Sequence, residues 1–255
     1  MQKIVRSVYI LLFLAVLYFP IITLVANSFN SSLYGVKWEG FTFFWYLKAI
    51  KNEALIDAFK NSLILSLASA FCSIGLGGLC AFGFYRYKYL GRKFLYFFVQ
   101  FMISFPDIIL GVSLLLLFIL INLKLGFVSL LISHIILCLP FVIIIILSGF
   151  RDLDKNIIEA GIDLGASDFM VLRKIILPNI FPNIVSAFLV SVTLSLDDVI
   201  ISYFVSGPDY QILPLVIYSL ARQGIKPEVN AVCSFVLIVS FIFILLSQII
   251  VRRSK

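Results

Sequence analysis

Residues 151–178 read RDLDKNIIEAGIDLGASDFMVLRKIILP, and how this stretch folds decides what the rest of the chain is for. It is a charged interlude between two long apolar runs, and its spacing predicts two short helices with a break. Glu159 and Asp163 stand four apart and share one polar face, while Ile158, Ala160, Gly161 and Leu164 form the other surface. Gly165 suits the left-handed conformation that ends a helix. Ser167 then fits as the N-cap of a second helix, with Asp168 favourable at its positive end. Pro178 is expected to stop that helix before the next apolar run. A short helical hairpin held this rigidly is either a plain connection or a docking element, and the residue pattern alone leaves both open.

Outward from this stretch, the sequence is nearly all apolar. Six runs are long enough to cross a hydrocarbon layer of about 30 Å: 8–26, 63–85, 94–121, 127–150, 182–205 and 231–251. Of the 255 residues, 62% are hydrophobic and 13% charged, with mean hydropathy +1.12. Soluble domains carry roughly twice that share of charge, and none hides so much apolar surface from water. The chain reads as one all-α membrane domain over 1–255. Lys3 and Arg6 precede the first run, which is long enough to be retained as a membrane helix and lacks a small-x-small cleavage site.

The net charge of +7 does not point to nucleic acid, because the basic residues gather at the ends of the runs. With both termini inside, the inner side holds Lys3, Arg6, Arg86, Lys88, Arg92, Lys93, Arg151, Lys155, Arg173, Lys174, Arg252, Arg253 and Lys255. The outer side holds only Lys37, Lys48, Lys51, Lys60, Lys124, Arg222 and Lys226. The bias predicts cytoplasmic N- and C-termini. In the outer segment 27–61, the aromatics Phe41, Phe43, Phe44, Trp45 and Tyr46 suit a membrane interface, and 53–60 is expected to lie as an interfacial helix. Ser69, Ser73, Gly77 and Ala81 recur every four residues and offer a second helix a close approach.

Four cysteines (Cys72, Cys80, Cys138 and Cys233) lie in apolar runs and read as packing residues. A single histidine, His134, makes a metal site improbable and predicts a hydrogen bond between helices. Three acids fall in apolar runs: Asp107, after Pro106, and the adjacent Asp197 and Asp198. An ionised carboxylate at mid-membrane costs about 2.5–3.5 kcal/mol on insertion scales. These three therefore need partners or a wet path, and a path lined by them suits a cation. Asp197 and Asp198 point about 100° apart on a helix, so at most one faces the path squarely. Asp198 is the expected one, with Tyr203 as an aromatic wall. Asp107 also suits a helix N-terminus. The segment 206–230, with Gly207-Pro208, reads as an outer turn.

The run Glu159-Ala160, Gly165-Ala166, Ile175 and Leu177-Pro178 resembles the Glu-Ala-Ala motif of ATP-binding-cassette importer permeases, with Gly161 where a second Ala is usual. Further segments resemble permeases of the spermidine/putrescine type over nearly the whole chain: Asn27-Ser-Phe-Asn-Ser31, Tyr85-Arg-Tyr-Lys-Tyr89, Ser104-Phe-Pro-Asp107, Leu196-Asp197-Asp198-Val199 and Ile212-Leu-Pro-Leu-Val-Ile-Tyr-Ser219. The resemblance implies the type I importer permease (MetI-like) fold of six transmembrane helices in the bacterial inner membrane. It implies a homologous second permease subunit, an ATPase dimer that binds ATP and Mg, and an extracytoplasmic polyamine-binding protein. In such a system Glu159, Ala160, Gly161, Asp163, Gly165 and Ala166 would couple to the ATPase, and this chain would hold no cofactor. No Walker motif occurs, so ATP hydrolysis is not expected here. Rival readings are the same machine carrying iron(III), sulfate or an amino acid, an ion-coupled secondary transporter, and a membrane scaffold. The acidic character disfavours anionic cargo, and the last two leave residues 151–178 unexplained.

Overall fold

The computed structural model describes residues 2–33, 37–222 and 227–253. Lys226 and Lys255, counted above for orientation, lie outside them. The helices are α1 (Gln2–Ser28), α2 (Phe44–Lys51), α3 (Glu53–Arg86), α4 (Arg92–Ile103), α5 (Asp107–Leu120), α6 (Phe127–Arg151) and α7 (Lys155–Asp163). They continue with α8 (Asp168–Val171), a π segment (Leu172–Ile176), α9 (Leu177–Asp197), α10 (Ile200–Val205), α11 (Leu213–Arg222) and α12 (Pro227–Arg253). Five described helices are long and apolar enough to cross a membrane, and the bent pair α4–α5 makes a sixth if it crosses as one broken span.

The chain contacts divide into two compact units, one of residues 1–58 and 216–239, the other of residues 59–215 and 240–255. In the first, the aromatic cluster expected from sequence closes into a knot that takes in the start of α2. Phe29 stacks on Phe41 at 5.1 Å, and Phe43 and Tyr46 close around them. Asn30 organises the loop beneath. Its Oδ1 accepts from the backbone N–H of Ser32 and Glu39, its Nδ2 donates to the Lys37 carbonyl, and its own carbonyl accepts from Trp45 Nε1 at 2.7 Å. Lys48 meets Glu228 at 2.7 Å. Residues 53–60 are not a separate interfacial helix. They are the first turns of α3, whose 34 residues extend well past a bilayer thickness.

In the second unit the small-residue stripe is buried as expected. Ser69, Ser73 and Ala81 are fully covered, and a Cβ on Gly77 would sit 2.7 Å from Val142 Cγ1 on α6. The core between α3, α6 and α9 contains Phe84, Val142, Ile146, Leu147, Phe150, Ile180 and Ala187. A second cluster of Leu65, Leu114, Phe118, Leu130, Ile201 and Val205 holds α5 and α10. Past the end of α5, Lys124 Nζ donates to Asp209 Oδ2 across 2.8 Å, a bond that holds the Asp209 carboxyl below the usual range. Residues 207–210 make the expected turn.

Two expected spans are interrupted. The run 94–121 is two helices bent by 107° at Ser104-Phe105-Pro106. Proline disfavours the α conformation in the residue before it, which suits a helix end here, and Pro106 (φ −64°, ψ 125°) begins α5. The run 182–205 is broken at Asp198-Val199, where Asp198 turns extended (ψ 122°). Conversely, Pro178 does not stop its helix: α8, the π segment and α9 run on from Asp168 to Asp197. In the π turn Leu177 N–H donates to Leu172 O, five residues back. Asn179 Nδ2 takes up the Ile175 carbonyl at 2.7 Å. Widening the turn in this way accommodates a ring that would collide with the carbonyl four residues earlier in an α-helix.

Candidate functional site

Two places carry the residues singled out above. The first is a cavity of about 530 Å³ whose wall includes Asp107, Asp197 and Asp198, with Phe105, Pro140, Phe141 and Thr193. The breaks in the two expected spans put all three acids there. Asp107 opens α5 immediately after Pro106, and the Asp pair sits at the α9–α10 break. No Lys or Arg lies in the wall. Tyr203 lies outside it, exposed on α10 with its ring edge-on to Phe204 at 5.7 Å.

The two adjacent aspartates do different things. Asp198 is committed to structure: Oδ1 accepts from Ile201 N–H at 3.2 Å, and Oδ2 from Ser202 N–H at 2.8 Å and Ser202 Oγ at 2.7 Å. It caps α10, and its side chain is 6% exposed. Asp197 is exposed and receives a single hydrogen bond, from Ser240 Oγ at 3.2 Å. The geometry therefore favours Asp197, not Asp198, as the carboxylate open to the cavity.

Behind Asp198 runs a buried polar chain that the sequence hinted at only through His134. Ser202 gives its hydroxyl proton to Asp198, so its Oγ accepts from His134 Nε2–H at 2.9 Å. His134 Nδ1 then accepts from Ser195 Oγ at 2.6 Å, and Ser69 Oγ reaches Ser195 at 3.2 Å. The imidazole is fully buried and uses both nitrogens. This chain ties α3, α6, α9 and α10 at the α9–α10 break. Three of its serines belong to ordinary-looking apolar runs, so no local pattern marks them. Among the described residues, no group of three His, Cys, Asp or Glu could hold a metal ion.

The second place is the hairpin of residues 151–178. Asp154 caps α7 by accepting from Asn156 N–H at 2.9 Å. Gly165, at φ 82°, lets its N–H reach Ile162 O at 2.8 Å and the Ala166 N–H reach Gly161 O at 3.1 Å, a double closure of the helix end. Ser167 Oγ accepts from Met170 N–H at 3.4 Å, as expected of the second N-cap. Gly161 is buried, and a Cβ there would lie 2.6 Å from Ile175 Cδ1. The glycine thus lets α7 fold flat against the π segment, with Ile158 and Ala166 against the core. Ala160 and Leu164, expected on that inner surface, instead face outward, Leu164 at 89% exposure. Together with Ile157, Ile162, Phe169 and Met170 they form an exposed apolar surface flanked by Glu159 and Asp163.

Residues 73–255 match the family described as "binding-protein-dependent transport system inner membrane component", and the chain belongs to that family. The chain is 44% identical to the spermidine/putrescine transport system permease protein PotC of Escherichia coli K12, over 98% of its own length and 95% of that protein's. It is 36% identical to the putrescine transport system permease protein PotI of the same organism, over 91% and 85%. Among solved structures, a chain of a bacterial alginate ABC transporter superposes with TM-score 0.73 at 20% identity (99% of this chain, 94% of that one). A chain of the MetNI methionine ABC transporter superposes with TM-score 0.61 at 19% (80% and 99%). At such identities these two show the fold, which is the type I importer permease fold expected from sequence.

Proposed function

We propose that this chain is the permease subunit of an ATP-driven polyamine importer, with both termini in the cytoplasm. In this reading a homologous permease completes the translocation path, a dimeric ATPase supplies ATP and Mg chemistry, and an extracytoplasmic protein delivers the polyamine. The observation that carries it is the cavity wall holding Asp107, Asp197 and Asp198 without a cation, in a chain related over almost its whole length to permeases named for spermidine and putrescine.

A polyamine is a flexible chain of methylenes with ammonium groups at intervals. An ammonium at about 4 Å from a carboxylate gains roughly 4 kcal/mol at an effective dielectric of 20, before desolvation is subtracted. Phe105 and Phe141 in the wall suit the methylenes between charges, and their ring faces attract ammonium. Such contacts hold the cargo weakly, as a path requires. The chain does no covalent chemistry. Glu159, Ala160, Asp163, Gly165 and Ala166 dock the hairpin into the ATPase, and Gly161 lets it lie flat.

The test is uptake of radiolabelled spermidine into proteoliposomes containing the assembled transporter, with and without ATP, alongside Glu159→Ala. ATP-dependent uptake that disappears in the variant, with the complex intact, is the expected result. Binding-protein-stimulated ATPase activity without spermidine uptake would overturn the polyamine assignment and leave the importer reading standing.

A further inference from the structure

We propose that the cleft between the end of α3, the start of α4 and the end of α6 binds the headgroup of an anionic phospholipid. The cleft has a volume of about 790 Å³, and Lys88, Arg92, Lys93 and Arg151 all line it, with no Asp or Glu in its wall. Arg151 is held in place, its guanidinium 5.2 Å over the Tyr96 ring. No side chain caps α4, which begins at Gly91 in the left-handed conformation (φ 87°), so the positive end of that helix opens beside the four cations.

The other half of the wall is apolar: Phe84, Leu90, Phe94 and Leu147. Leu90 is wholly exposed at the tip of the turn, and Phe94 largely so. A phosphodiester with acyl chains uses both halves, whereas an acidic protein surface would leave the apolar half unused. The cations also stand at the ends of membrane-crossing helices, where headgroups lie. A general excess of inner-side charge spreads cations around the molecule; here four converge on one cleft. The orientation proposed above matters only in assigning the lipid to the cytoplasmic leaflet.

The test is native mass spectrometry of the full chain in detergent, titrated with phosphatidylglycerol, phosphatidylcholine or inorganic phosphate. Phosphatidylglycerol is expected to be retained. The Arg92→Gln/Arg151→Gln variant should weaken its binding by about thirtyfold, the loss of two cationic attractions to an anionic lipid. Arg173→Gln/Lys174→Gln, the same charge change outside the cleft, should not weaken it. Should the double variant fail to fold by circular dichroism, Lys88→Gln and Lys93→Gln singly are expected to weaken binding by about fivefold each. Equal loss in the two paired variants, equal retention of phosphatidylcholine, or binding of inorganic phosphate without the lipid would each overturn the proposal. Because the readout is lipid retention, a failed polyamine assignment leaves it untouched.

Discussion

Asp197 and Asp198 are neighbours with opposite duties. Asp198 spends its oxygens on the first turn of α10 and on Ser202, which in turn engages His134. Asp198→Ala is therefore expected to lower the thermal unfolding midpoint of the purified protein, since a lost cap costs about 0.5–2 kcal/mol and an orphaned buried hydroxyl about 1–3 more. Asp197→Asn, whose amide oxygen still accepts from Ser240 Oγ, should leave that midpoint nearly unchanged. It should instead weaken spermidine transport by about tenfold or more, a fraction of the Coulomb attraction to one ammonium. Reversed outcomes would move the cargo contact to Asp198. The sequence marked both residues through the cost of burying them, and that cost is the same for either. Only the backbone break at 198–199 separates them, and no single residue type announces that break: Asp-Asp-Val is compatible with a continued helix.

Among the elements, α3 is held by surface shape. Gly77→Val should lower the thermal midpoint in detergent by an amount equivalent to about 1–3 kcal/mol, because its new methyls overlap Val142. Gly83→Ala on the same helix, where a Cβ meets nothing within 4 Å, should cost nothing. An equal effect of the two would mean that the stripe does not pack as described. Four-residue spacing made this face legible, as apolar run length made α1, α6 and α12 legible. The hairpin closed at Gly165 as read, because a glycine after an amphipathic turn has few other uses. Proline was read less well. The run 94–121 was drawn straight through Pro106, which severs α4 from α5, although Asp107 behind it was already read as suiting a helix start. Pro178 was credited with a stop, although a π turn absorbs it. The effect of a proline depends on whether the preceding turn can widen, and hydropathy carries no trace of that.

For the whole molecule, the basic residues argue that both termini are cytoplasmic. With the native cysteines in apolar helices, Leu90→Cys should react with a membrane-impermeant maleimide only after the cells are opened. Leu33→Cys should react in intact spheroplasts, since both side chains are well exposed. The opposite pattern would invert the orientation and, with it, the side on which the 151–178 hairpin lies. The membrane class was available from composition, because 62% apolar residues leave lipid as the only solvent, and the importer fold from the motif resemblance in residues 151–178. The cavity was not, since it is made by two helix breaks, one of them braced by a serine–histidine chain assembled from distant segments.

The wide turn at Leu172–Ile176 has a further consequence. A helix is a screw, and a π turn is one residue of extra thread. Drawn into ordinary α pitch, that surplus would rotate the rest of the rod by about 100°. Asp197, at the far end of the same rod, would swing away from its cavity without any change to the carboxylate or its neighbours. The residue count between the hairpin and Asp197 is therefore an angular setting, which an insertion or deletion would alter more than most substitutions could.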